Sequence, residues 1–456
     1  MLTILPIDSG RYGTKEMLSI FDEEQKIRHQ LEIESAVATT QAKLNLIPSR
    51  AAEDILNVVK SSRITINQLK KLETKNEHDT ASLIEAISNK CKKDTKPWVH
   101  YGLTSNDLVD TSNSMQIRDA LKIIQTKISK FATLLATKAT TYKNLPAVGR
   151  THGQHASIIS FGLKFANWGL EMLKHYERIE ECKKRILICK TLGVVGTGSL
   201  MGVQAINVQK MVSKILELYP IEVATQVIPR ERYSEYIFQL ALVGSTLDKI
   251  SIEIRNLQRT EIGEVQEYFK SGQVGSSAVP IKRNPIKSER ISSLSKLLRC
   301  YLITSFENIA LWHERDLSNS ANERFIIPTC TILLDEMLET AIKIIDNMII
   351  NKNKILRNIN LTGGRIFSEF IMQELIKKGV SRLSAYRTIQ KISFNSSESE
   401  KDYVSLLQKN KIISSNLTKD DINNIFLPNN HLGASSTIID NVCRMIQKRF
   451  ANINIK

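Results

Sequence analysis

The chain has 456 residues, of which 42% are hydrophobic, and its 63 Lys and Arg outnumber 47 Asp and Glu to give a formal net charge of +16. This composition is typical of a globular protein and excludes a chain that is mainly disordered or collagen-like. The length predicts about three domains. The positive charge alone leaves three explanations open: a nucleic-acid partner, an anionic small substrate, or a Lys-rich surface that contacts only solvent.

The sequence favours a cytoplasmic protein. No apolar run approaches the roughly 20 residues that a bilayer-spanning helix needs. The first residues lack the basic segment and the long apolar run of a secretory signal. The six cysteines are scattered without a CxxC pair, which favours reduced thiols over a disulfide framework. We therefore expect no membrane partner.

Proline positions and apolar periodicity predict an all-α protein of three domains. Residues 1–96 contain short amphipathic segments interrupted by prolines, which predicts a small N-terminal helical domain. Residues 97–350 contain long proline-free stretches and predict a central bundle of long helices. Residues 351–456 predict a C-terminal helical domain, in which the polar stretch 395–401 is expected to be a loop.

Two apolar stripes mark the predicted long helices. Their residues recur at alternating spacings of three and four, which places them on one face of a helix. The first stripe is Leu121, Ile124, Ile128, Phe131 and Leu135, and the second is Tyr236, Leu240, Val243, Leu247, Ile250, Ile254 and Leu257. Strand signals are weak, since no series of alternating Val, Ile and Thr runs is joined by Asn-Gly turns.

Segment 149–156, GRTHGQHA, places two histidines between glycines. His152 in a polar turn is suited to proton transfer near neutral pH, although a structural histidine held by hydrogen bonds is the more common case for a single such residue. The spacing of His152 and His155 permits metal ligation on a helix, but no carboxylate partner supports it, and we expect no metal. His78, in NEHDT, likewise allows a role in proton transfer or a structural role held by hydrogen bonds.

Segment 272–289, GQVGSSAVPIKRNPIKSE, predicts a loop that ends at the start of a helix. Asn284 is expected as the N-cap and Pro285 as the first helical residue. The free amides of that helix start, together with Lys282, would bind a carboxylate or phosphate. Ser277 in this positive field would serve as a nucleophile or a base. A surface loop with incidental Ser and Lys residues is the alternative.

Segment 311–324, LWHERDLSNSANER, places Ser320 and Arg324 on one face of a predicted helix. Arg315 and Arg324 are suited to clamping a phosphate or carboxylate, and a solvated charged face is the alternative. The glycine-rich run at 192–199 lacks the Lys-Ser or Lys-Thr ending of a phosphate loop and follows no predicted strand, so we reject that function for it.

Four short segments together resemble the signature sequences of the fumarase/aspartase superfamily. They are HDT at 78–80, HYGLTSND at 100–107, GRTHGQHA at 149–156 and GSSAVPIKRNP at 275–285. The resemblance implies an all-α, three-domain fold whose long central bundles pack into the core of a homotetramer. It also implies a reaction that eliminates fumarate from a substituted succinate, without a metal or cofactor.

Four further segments are most similar to the adenylosuccinate lyases within that superfamily. They are RYGTKEM at 11–17, TQVIPRER at 225–232, EIRNLQRTEIGEV at 253–265 and LWHERDLSNS at 311–320. The resemblance covers nearly the whole chain and weakens toward its C-terminus. Ile281 and Asn319 depart from it, because this family commonly has His at both positions.

The resemblance assigns chemical roles to five residues. It implies that Ser277 removes the Cβ proton of the succinyl group and that His152 protonates the leaving nitrogen. Lys282 would stabilise the carbanion. Glu289 would orient His152, and His78 would support the acid or bind the substrate. The residues implied to bind substrate are Arg11, Tyr12, His78, Asp79, Thr104, Ser105, Gln226, Asn284, Arg315, Ser320 and Arg324.

These implications predict a cytoplasmic enzyme of purine biosynthesis that cleaves adenylosuccinate to AMP and fumarate. The same enzyme would release fumarate from succinylaminoimidazole carboxamide ribotide, leaving AICAR. Its partner would be an anionic nucleotide and not nucleic acid, and its active sites would be shared between the subunits of the homotetramer. The alternatives are a sister enzyme, either an argininosuccinate lyase or a fumarase, or a basic helical scaffold without catalytic activity that binds nucleic acid.

Overall fold

The computed structural model describes residues 5–61, 64–270, 272–399 and 401–451. Helices dominate this part of the chain, and its strands are short and paired in twos. No helix within the described residues is long and apolar enough to cross a membrane.

The N-terminal part contains five helices, four of which begin at a side chain that caps the first turn. The helices are α1 (Lys15–Ile20), α2 (Glu23–Lys43), α3 (Ser49–Lys60), α4 (Ile66–Asn76) and α5 (Asp79–Lys90). The capping side chains are those of Thr14, Asp22, Thr65 and His78. Each accepts a hydrogen bond from an amide that has no partner within the helix, which fixes where the helix starts.

The middle of the chain contains five long helices and one short one. They are α6 (Ser105–Thr141), α7 (Phe161–Ile186), the shorter α8 (Gln204–Ile215), α9 (Glu231–Leu257), α10 (Ile286–Glu307) and α11 (Ser320–Asn347). Every residue of the two predicted apolar stripes is buried in α6 and α9, with at most 3% of its surface exposed. The prediction of long helices from the spacing of apolar residues is therefore confirmed.

The described residues of the C-terminal part form seven shorter helices. They are α12 (Lys352–Asn360), α13 (Ser368–Lys377), α14 (Arg382–Ser399), α15 (Tyr403–Lys409), α16 (Lys411–Asn416), α17 (Lys419–Ile425) and α18 (Ser435–Phe450). The prediction of a loop at 395–401 is wrong for 395–399, which form the last turns of α14, while Glu400 lies outside the described residues. The helix continues there because Ser396 lies on the same buried face as Ile389 and Ile392.

Within the described residues six strands pair in twos, although strand signals in the sequence are weak. They are β1 (Pro146–Thr151), β2 (Gln154–Ser160), β3 (Ile188–Cys189), β4 (Tyr219–Pro220), β5 (Val265–Gln266) and β6 (Ile349–Ile350). The pair β1 and β2 is an antiparallel hairpin with an irregularity in register between Gly149 and Arg150. A side chain at Gly149 would place its Cβ 2.8 Å from Ile159 Cγ2, so the close approach of the two strands requires glycine there.

Two compact units divide the chain. The first contains Met1–Ile128, His175–Leu247 and Ser293–Glu339, and the second contains Ser129–Lys174, Asp248–Ser292 and Thr340–Lys456. Each of the five long helices has residues in both units. The three domains expected from the sequence, with boundaries after residues 96 and 350, stay a prediction.

The hairpin of β1 and β2 is anchored by its apolar face in the core of the second unit. Val148 on β1 and Ile158 on β2 belong to one buried cluster with residues of α12 to α17, among them Phe367 and Leu375. A hairpin alone is only marginally stable, so this packing holds the strands and therefore their connecting turn in place. That turn carries His152.

Candidate active site

A pocket of about 1050 Å³ in the first unit is lined by the first turns of three helices. His78 and Asp79 lie at the start of α5, Ser105 at the start of α6, and Ser320 and Arg324 at the start of α11. Amides at a helix start lack partners within the helix and carry partial positive charge. Three such starts around one pocket favour binding of an anion.

Charged side chains of both signs also line the pocket. The cationic ones are Lys26, Arg230, Arg315 and Arg324, and the acidic ones are Glu23, Glu73, Glu77, Asp79, Asp316 and Glu323. Asp79 Oδ2 lies 3.7 Å from Arg324 Nη2. Burial alone would raise the pKa of Asp79, but the amide of Thr80 and the charges of Lys26 and Arg324 outweigh it and lower this pKa. Asp79 is therefore an anion that offsets part of the positive charge when no ligand is bound.

His78 is fixed in one orientation by its role as the N-cap of α5. Its Nδ1 accepts a hydrogen bond from the amide of Ala81 at 3.3 Å, and its carbonyl oxygen accepts from the amide of Ser82 at 3.1 Å. Because Nδ1 accepts a hydrogen bond here, the neutral ring carries its hydrogen on Nε2. His78 is exposed and lines the pocket, so this Nε2 is able to donate a hydrogen bond to a ligand.

Arg315 and Gln226, two predicted substrate-binding residues far apart in the sequence, are in direct contact. Arg315 Nη1 donates to Gln226 Oε1 at 2.6 Å, and Gln226 Nε2 donates to the carbonyl oxygen of Val194 at 2.9 Å. The amide of Gln226 also donates to the carbonyl oxygen of Glu314 at 3.3 Å. Gln226 therefore holds the guanidinium of Arg315 in one position beside the pocket.

The start of α6 is held by a buried ion pair that the sequence analysis missed. Asp107, the third residue of α6, accepts from the amides of Thr104 at 2.8 Å and Gly193 at 3.0 Å. Lys190 Nζ lies 2.5 Å from Asp107 Oδ1, and both side chains are fully buried. The glycine-rich run at 192–199 therefore supports the positions of Thr104 and Ser105 instead of binding phosphate.

A second buried network, also missed, lies beside the start of α11. Arg230 Nη2 contacts Asp110 Oδ1 at 3.0 Å, and its Nε contacts Glu323 Oε1 at 3.0 Å. Asn319, where the family commonly has His, is 3% exposed and its carbonyl oxygen accepts from the amide of Glu323. In the sequence this network is visible only as the charged run RER at 230–232. Such a run cannot be distinguished from a solvated charged surface until the tertiary contacts are known.

The N-terminal segment with Arg11 and Tyr12 is tied to α11. Thr14 Oγ1 donates to Asp335 Oδ2 at 2.6 Å, and the amide of Gly13 donates to Glu336 Oε2 at 3.3 Å. Gly13 has a φ of +93°, and a Cβ there would lie 2.5 Å from Ile332 Cγ2. Arg11 is exposed and does not line the pocket.

His152 lies in the second unit, at the tip of the hairpin. The two turn residues, His152 and Gly153, have φ values of +53° and +76°. Positive φ at both central positions is the pattern of a type I′ turn, which suits the right-handed twist of a two-residue hairpin. His152 is exposed, and the turn projects it away from the packed strands. The expectation of a polar turn around this histidine is confirmed.

The turn end of the hairpin is held by a largely buried salt bridge. Arg150 Nη2 lies 2.6 Å from Glu264 Oε1, and the fully buried Glu264 also accepts from Asn358 Nδ2 at 2.8 Å. His155 lies beside this pair, and burial together with the charge of Arg150 lowers its pKa. A lowered pKa favours the uncharged ring at neutral pH, in contrast to a cationic anchor.

The loop from 272 to 285, which we call the serine loop, exposes Ser277 and Lys282. Within it, Ser276 Oγ accepts from the amides of Ala278 at 3.3 Å and Val279 at 3.1 Å. Asn284 Nδ2 donates to the carbonyl oxygen of Gly275 at 3.0 Å, which closes the loop. The exposed hydroxyl of Ser277 and the ammonium group of Lys282 are thereby presented by a short, internally bonded loop.

The helix after this loop begins one residue later than predicted, and its first turn is already occupied. Helix α10 starts at Ile286, and Asn284 bonds within the loop instead of capping the helix. The amides of Lys287 and Ser288 donate to the carboxylate of Glu267. The expectation that this helix start offers those amides to a substrate is therefore wrong, because a buried side chain already uses them.

Glu289 is exposed on the first turn of α10. No hydrogen bond or ion pair joins Glu289 to His152 among the residues that the structure describes, so its orienting role stays a prediction. In that same part of the chain, no group of three or more His, Cys, Asp and Glu side chains is arranged to hold a metal ion.

The structure thus distributes the predicted site residues between the two units. Those in the first unit are Arg11, Tyr12, His78, Asp79, Thr104, Ser105, Gln226, Arg315, Ser320 and Arg324, and six of them line the pocket. Those in the second unit are His152, Ser277, Lys282, Asn284 and Glu289. The first group can bind an anion, and the second group can transfer protons.

Comparisons with known proteins give the same family along almost the whole chain. A family model described as lyase matches residues 10–297, and one described as adenylosuccinate lyase C-terminus matches residues 364–442. The chain is 38% identical over 449 residues to the adenylosuccinate lyase of Methanocaldococcus jannaschii, covering 98% of this chain and 97% of that protein. It is 37% identical over 447 residues to the adenylosuccinate lyase of Pyrococcus abyssi, covering 98% and 99%.

Solved structures confirm the fold. The 3-carboxy-cis,cis-muconate lactonizing enzyme of Pseudomonas putida matches with a TM-score of 0.88 at 25% identity, covering 97% of this chain and 99% of that chain. A fumarate lyase of Mesorhizobium sp. BNC1 matches with a TM-score of 0.87 at 24% identity, covering 95% and 98%. The predicted all-α fold of the fumarase/aspartase superfamily is confirmed, and the chain belongs to the adenylosuccinate lyase family of carbon–nitrogen lyases.

Proposed function

We propose that this protein cleaves adenylosuccinate to AMP and fumarate, and succinylaminoimidazole carboxamide ribotide to AICAR and fumarate, in cytoplasmic purine biosynthesis. The observation that carries the proposal is the pocket in the first unit. Six side chains expected to bind a phosphorylated dicarboxylate line one cavity, at three helix starts among arginines. The negatively charged groups of the two substrates suit the helix-start amides and the guanidinium groups of this lining.

The chemical step is a β-elimination. Ser277, as the oxyanion formed under positive charge, takes the proton from Cβ of the succinyl group, and the electron pair enters the adjacent carboxylate. Lys282 and the amide of Asn284's side chain stabilise the resulting aci-carboxylate. The C–N bond then breaks as the electron pair forms the double bond of fumarate. His152 gives a proton to the leaving nitrogen, with Glu289 orienting its ring.

The proposed binding residues form two groups, according to the part of the substrate that they contact. Arg315, Ser320 and Arg324, together with Arg11 and Tyr12, hold the phosphate. His78, Asp79, Thr104, Ser105 and Gln226 contact the remainder of the substrate. These assignments follow the family's pattern residue by residue, and the contact of Arg315 with Gln226 supports treating the two as parts of one site.

We propose that the active protein is a homotetramer whose sites combine residues of different subunits. Exposed apolar side chains on α10 support an association of copies. Leu297, Ile303 and Phe306 have 44%, 63% and 50% of their surfaces exposed. Burying large apolar side chains of this kind favours association in water.

A fumarate-release assay tests the proposed reaction. Purified protein is incubated with adenylosuccinate and fumarate release is followed, with Ser277→Ala as the catalytic variant. We expect turnover by the wild type and a loss of about a thousandfold or more in the variant, since the proton would have no base. Equal rates in both proteins, or release from argininosuccinate or malate but not adenylosuccinate, would contradict the proposal. A salt-sensitive affinity for RNA without turnover would favour the non-catalytic scaffold.

The shared site is tested by complementation. The variants His78→Ala and Ser277→Ala are each expected to be inactive as homotetramers. Dissociating and reassembling a mixture of the two should restore part of the activity, because some sites then receive intact residues from both chains. Wild-type protein taken through the same treatment is the control. If it recovers activity and the mixture does not, the site is not shared between these two residues.

A further inference from the structure

The carboxylate of Glu267 joins the body of the second unit to the first turn of the helix that follows the serine loop. Glu267 is 5% exposed and follows strand β5 directly. One carboxylate oxygen accepts from the amide of Ser288 at 2.8 Å and from its hydroxyl at 2.6 Å. The other accepts from the amide of Lys287 at 3.2 Å. Hydrogen bonds to an ionised acceptor at a helix start are among the stronger ones in proteins.

Gln258 connects this carboxylate to the loop itself. Its Oε1 accepts from the amide of Glu267 at 2.9 Å, and its Nε2 donates to the carbonyl oxygen of Arg283 at 3.0 Å. Both polar atoms of one side chain are thus used, one toward Glu267 and one toward the end of the serine loop. The guanidinium of Arg283 lies 5.6 Å from the ring centre of Phe269, which adds a cation–π contact at the same place.

The hydrogen bonds around Ser277 and Lys282 join residues of the serine loop to one another and not to the body of the second unit. Ser277 and Lys282 are exposed, and the hydrogen bonds around them close only within the loop, from Ser276 and from Asn284. The position of Ser277 relative to the body of the second unit therefore depends in part on where the chain is fixed after it, in addition to strand β5 before it. Glu267 and Gln258 supply that fixation through residues 283 to 288.

We propose that Glu267 is a positioning residue for catalysis, which acts with Gln258 to set the placement of the serine loop and so of Ser277. The proposal rests on the function proposed above for Ser277. It also has a consequence for charge, because the carboxylate neutralises the positive end of α10. The positive field at Ser277 then comes from Lys282 and not from this helix, so Glu267 contributes through geometry and not by attracting the substrate.

The first test measures the anchor without using activity. Hydrogen exchange at the amides of Lys287 and Ser288, and the rate of tryptic cleavage after Lys282 or Arg283, are compared between wild type and Glu267→Ala. We expect both rates to rise about tenfold or more, as the loss of hydrogen bonds to a charged acceptor predicts. Glu261→Gln, an exposed acidic residue of the same region, is the matched control and should leave both rates unchanged.

The second test separates positioning from stability. In Glu267→Ala we expect kcat for fumarate release to fall about a hundredfold while KM changes less than about threefold, because the proposed anion contacts lie elsewhere. Glu267→Gln retains one oxygen acceptor and should recover part of kcat. If Glu267 had only a structural role, the loss of kcat in each variant would instead parallel the fall in its melting temperature. If Glu267→Ala does not fold, Gln258→Ala is tested instead, because it removes the connection to Arg283. We expect it to lower kcat as well, by a smaller factor, with KM again little changed.

These experiments distinguish failure of the positioning role of Glu267 from failure of the proposed lyase function. Wild-type protein that releases no fumarate would contradict that function, while faster exchange and cleavage in Glu267→Ala would still establish the anchor. A folded Glu267→Ala or Gln258→Ala protein with wild-type exchange, cleavage and kcat would overturn the positioning role.

Discussion

Arg315 donates a 2.6 Å hydrogen bond to Gln226, although 89 positions separate the two residues. The free guanidinium of a partly exposed arginine has many rotamers, and Gln226 selects one of them. We expect Gln226→Ala to raise KM for adenylosuccinate about tenfold with little change in kcat, since the change costs binding and not chemistry. Gln390→Ala, on the exposed face of α14, is the control. A fall in kcat at constant KM would instead place Gln226 in the chemical step.

Arg324 is expected to bind the phosphate of the substrate. Replacing it by Met should weaken AMP binding about tenfold to a hundredfold, because a charge-assisted hydrogen bond is lost and Asp79 loses one of its cationic neighbours. Calorimetric titration with AMP measures this affinity, and Arg444→Met on α18 is the control. An unchanged affinity for AMP would show that the phosphate lies elsewhere.

His100 and Glu34 form a buried pair whose stabilising effect should depend on pH. Their Nδ1 and Oε1 atoms lie 2.5 Å apart. Burial alone would lower the pKa of His100, but Glu34 outweighs it and raises this pKa. A raised pKa means that the charged pair stabilises the fold fully below the ordinary histidine pKa and loses its effect as pH rises through the folded value.

We therefore expect the melting temperature of Glu34→Gln to lie below that of the wild type at about pH 6 and to approach it at about pH 9. Differential scanning calorimetry at several pH values checks this, and Glu24→Gln, in an exposed pair, should show no such trend. A gap that widens with increasing pH would mean that the pair is not ionised as described.

The pair of Arg150 and Glu264 fixes the turn end of the hairpin. Glu264→Ala should lower the free energy of unfolding by about 3 kcal/mol, since it leaves a largely buried arginine and Asn358 without their acceptor. Urea unfolding measures this value. Glu374→Ala removes the partner of Lys377 on the surface and should change stability by less than about 1 kcal/mol. Equal effects of the two substitutions would contradict the assignment.

Gly275 is required by the close approach of the chain within the serine loop. A Cβ there would lie 2.2 Å from the carbonyl oxygen of Lys282 and 2.9 Å from Phe269 Cζ. We expect Gly275→Ala to lower kcat about a hundredfold with a small change in melting temperature, because the displaced loop is exposed. Val274→Ala, at a side chain that is 78% exposed, is the control. Full activity in Gly275→Ala would show that the loop tolerates displacement.

The long helices could be predicted because their signal is local. Every residue of the stripe from Tyr236 to Leu257 is buried, since a regular helix brings residues three and four apart onto one face. The hairpin of β1 and β2 gave no comparable signal. Its strands are short, Gly149 and Arg150 interrupt the register, and its turn uses His-Gly in place of Asn-Gly.

The candidate site was accessible to sequence reasoning only where the resemblance supplied a motif. His78, Ser105 and Arg324 were identified in that way, and the structure places them around one pocket. Glu267 and Arg230 were not identified as contributors. A charged residue in a charged segment reads as solvated until the tertiary structure shows which partners surround it, and both residues have their partners on other elements.

The three helix starts around the pocket have a consequence for how the protein responds to pH. Main-chain dipoles do not titrate, and the arginines beside them keep their charge throughout the range in which proteins are folded. The attraction for a phosphorylated ligand that these groups supply is therefore constant across neutral pH. A change in turnover with pH then reports the ionisation of the proton-transferring groups and of the ligand, and kcat can be interpreted without a correction for a changing pocket charge from these groups.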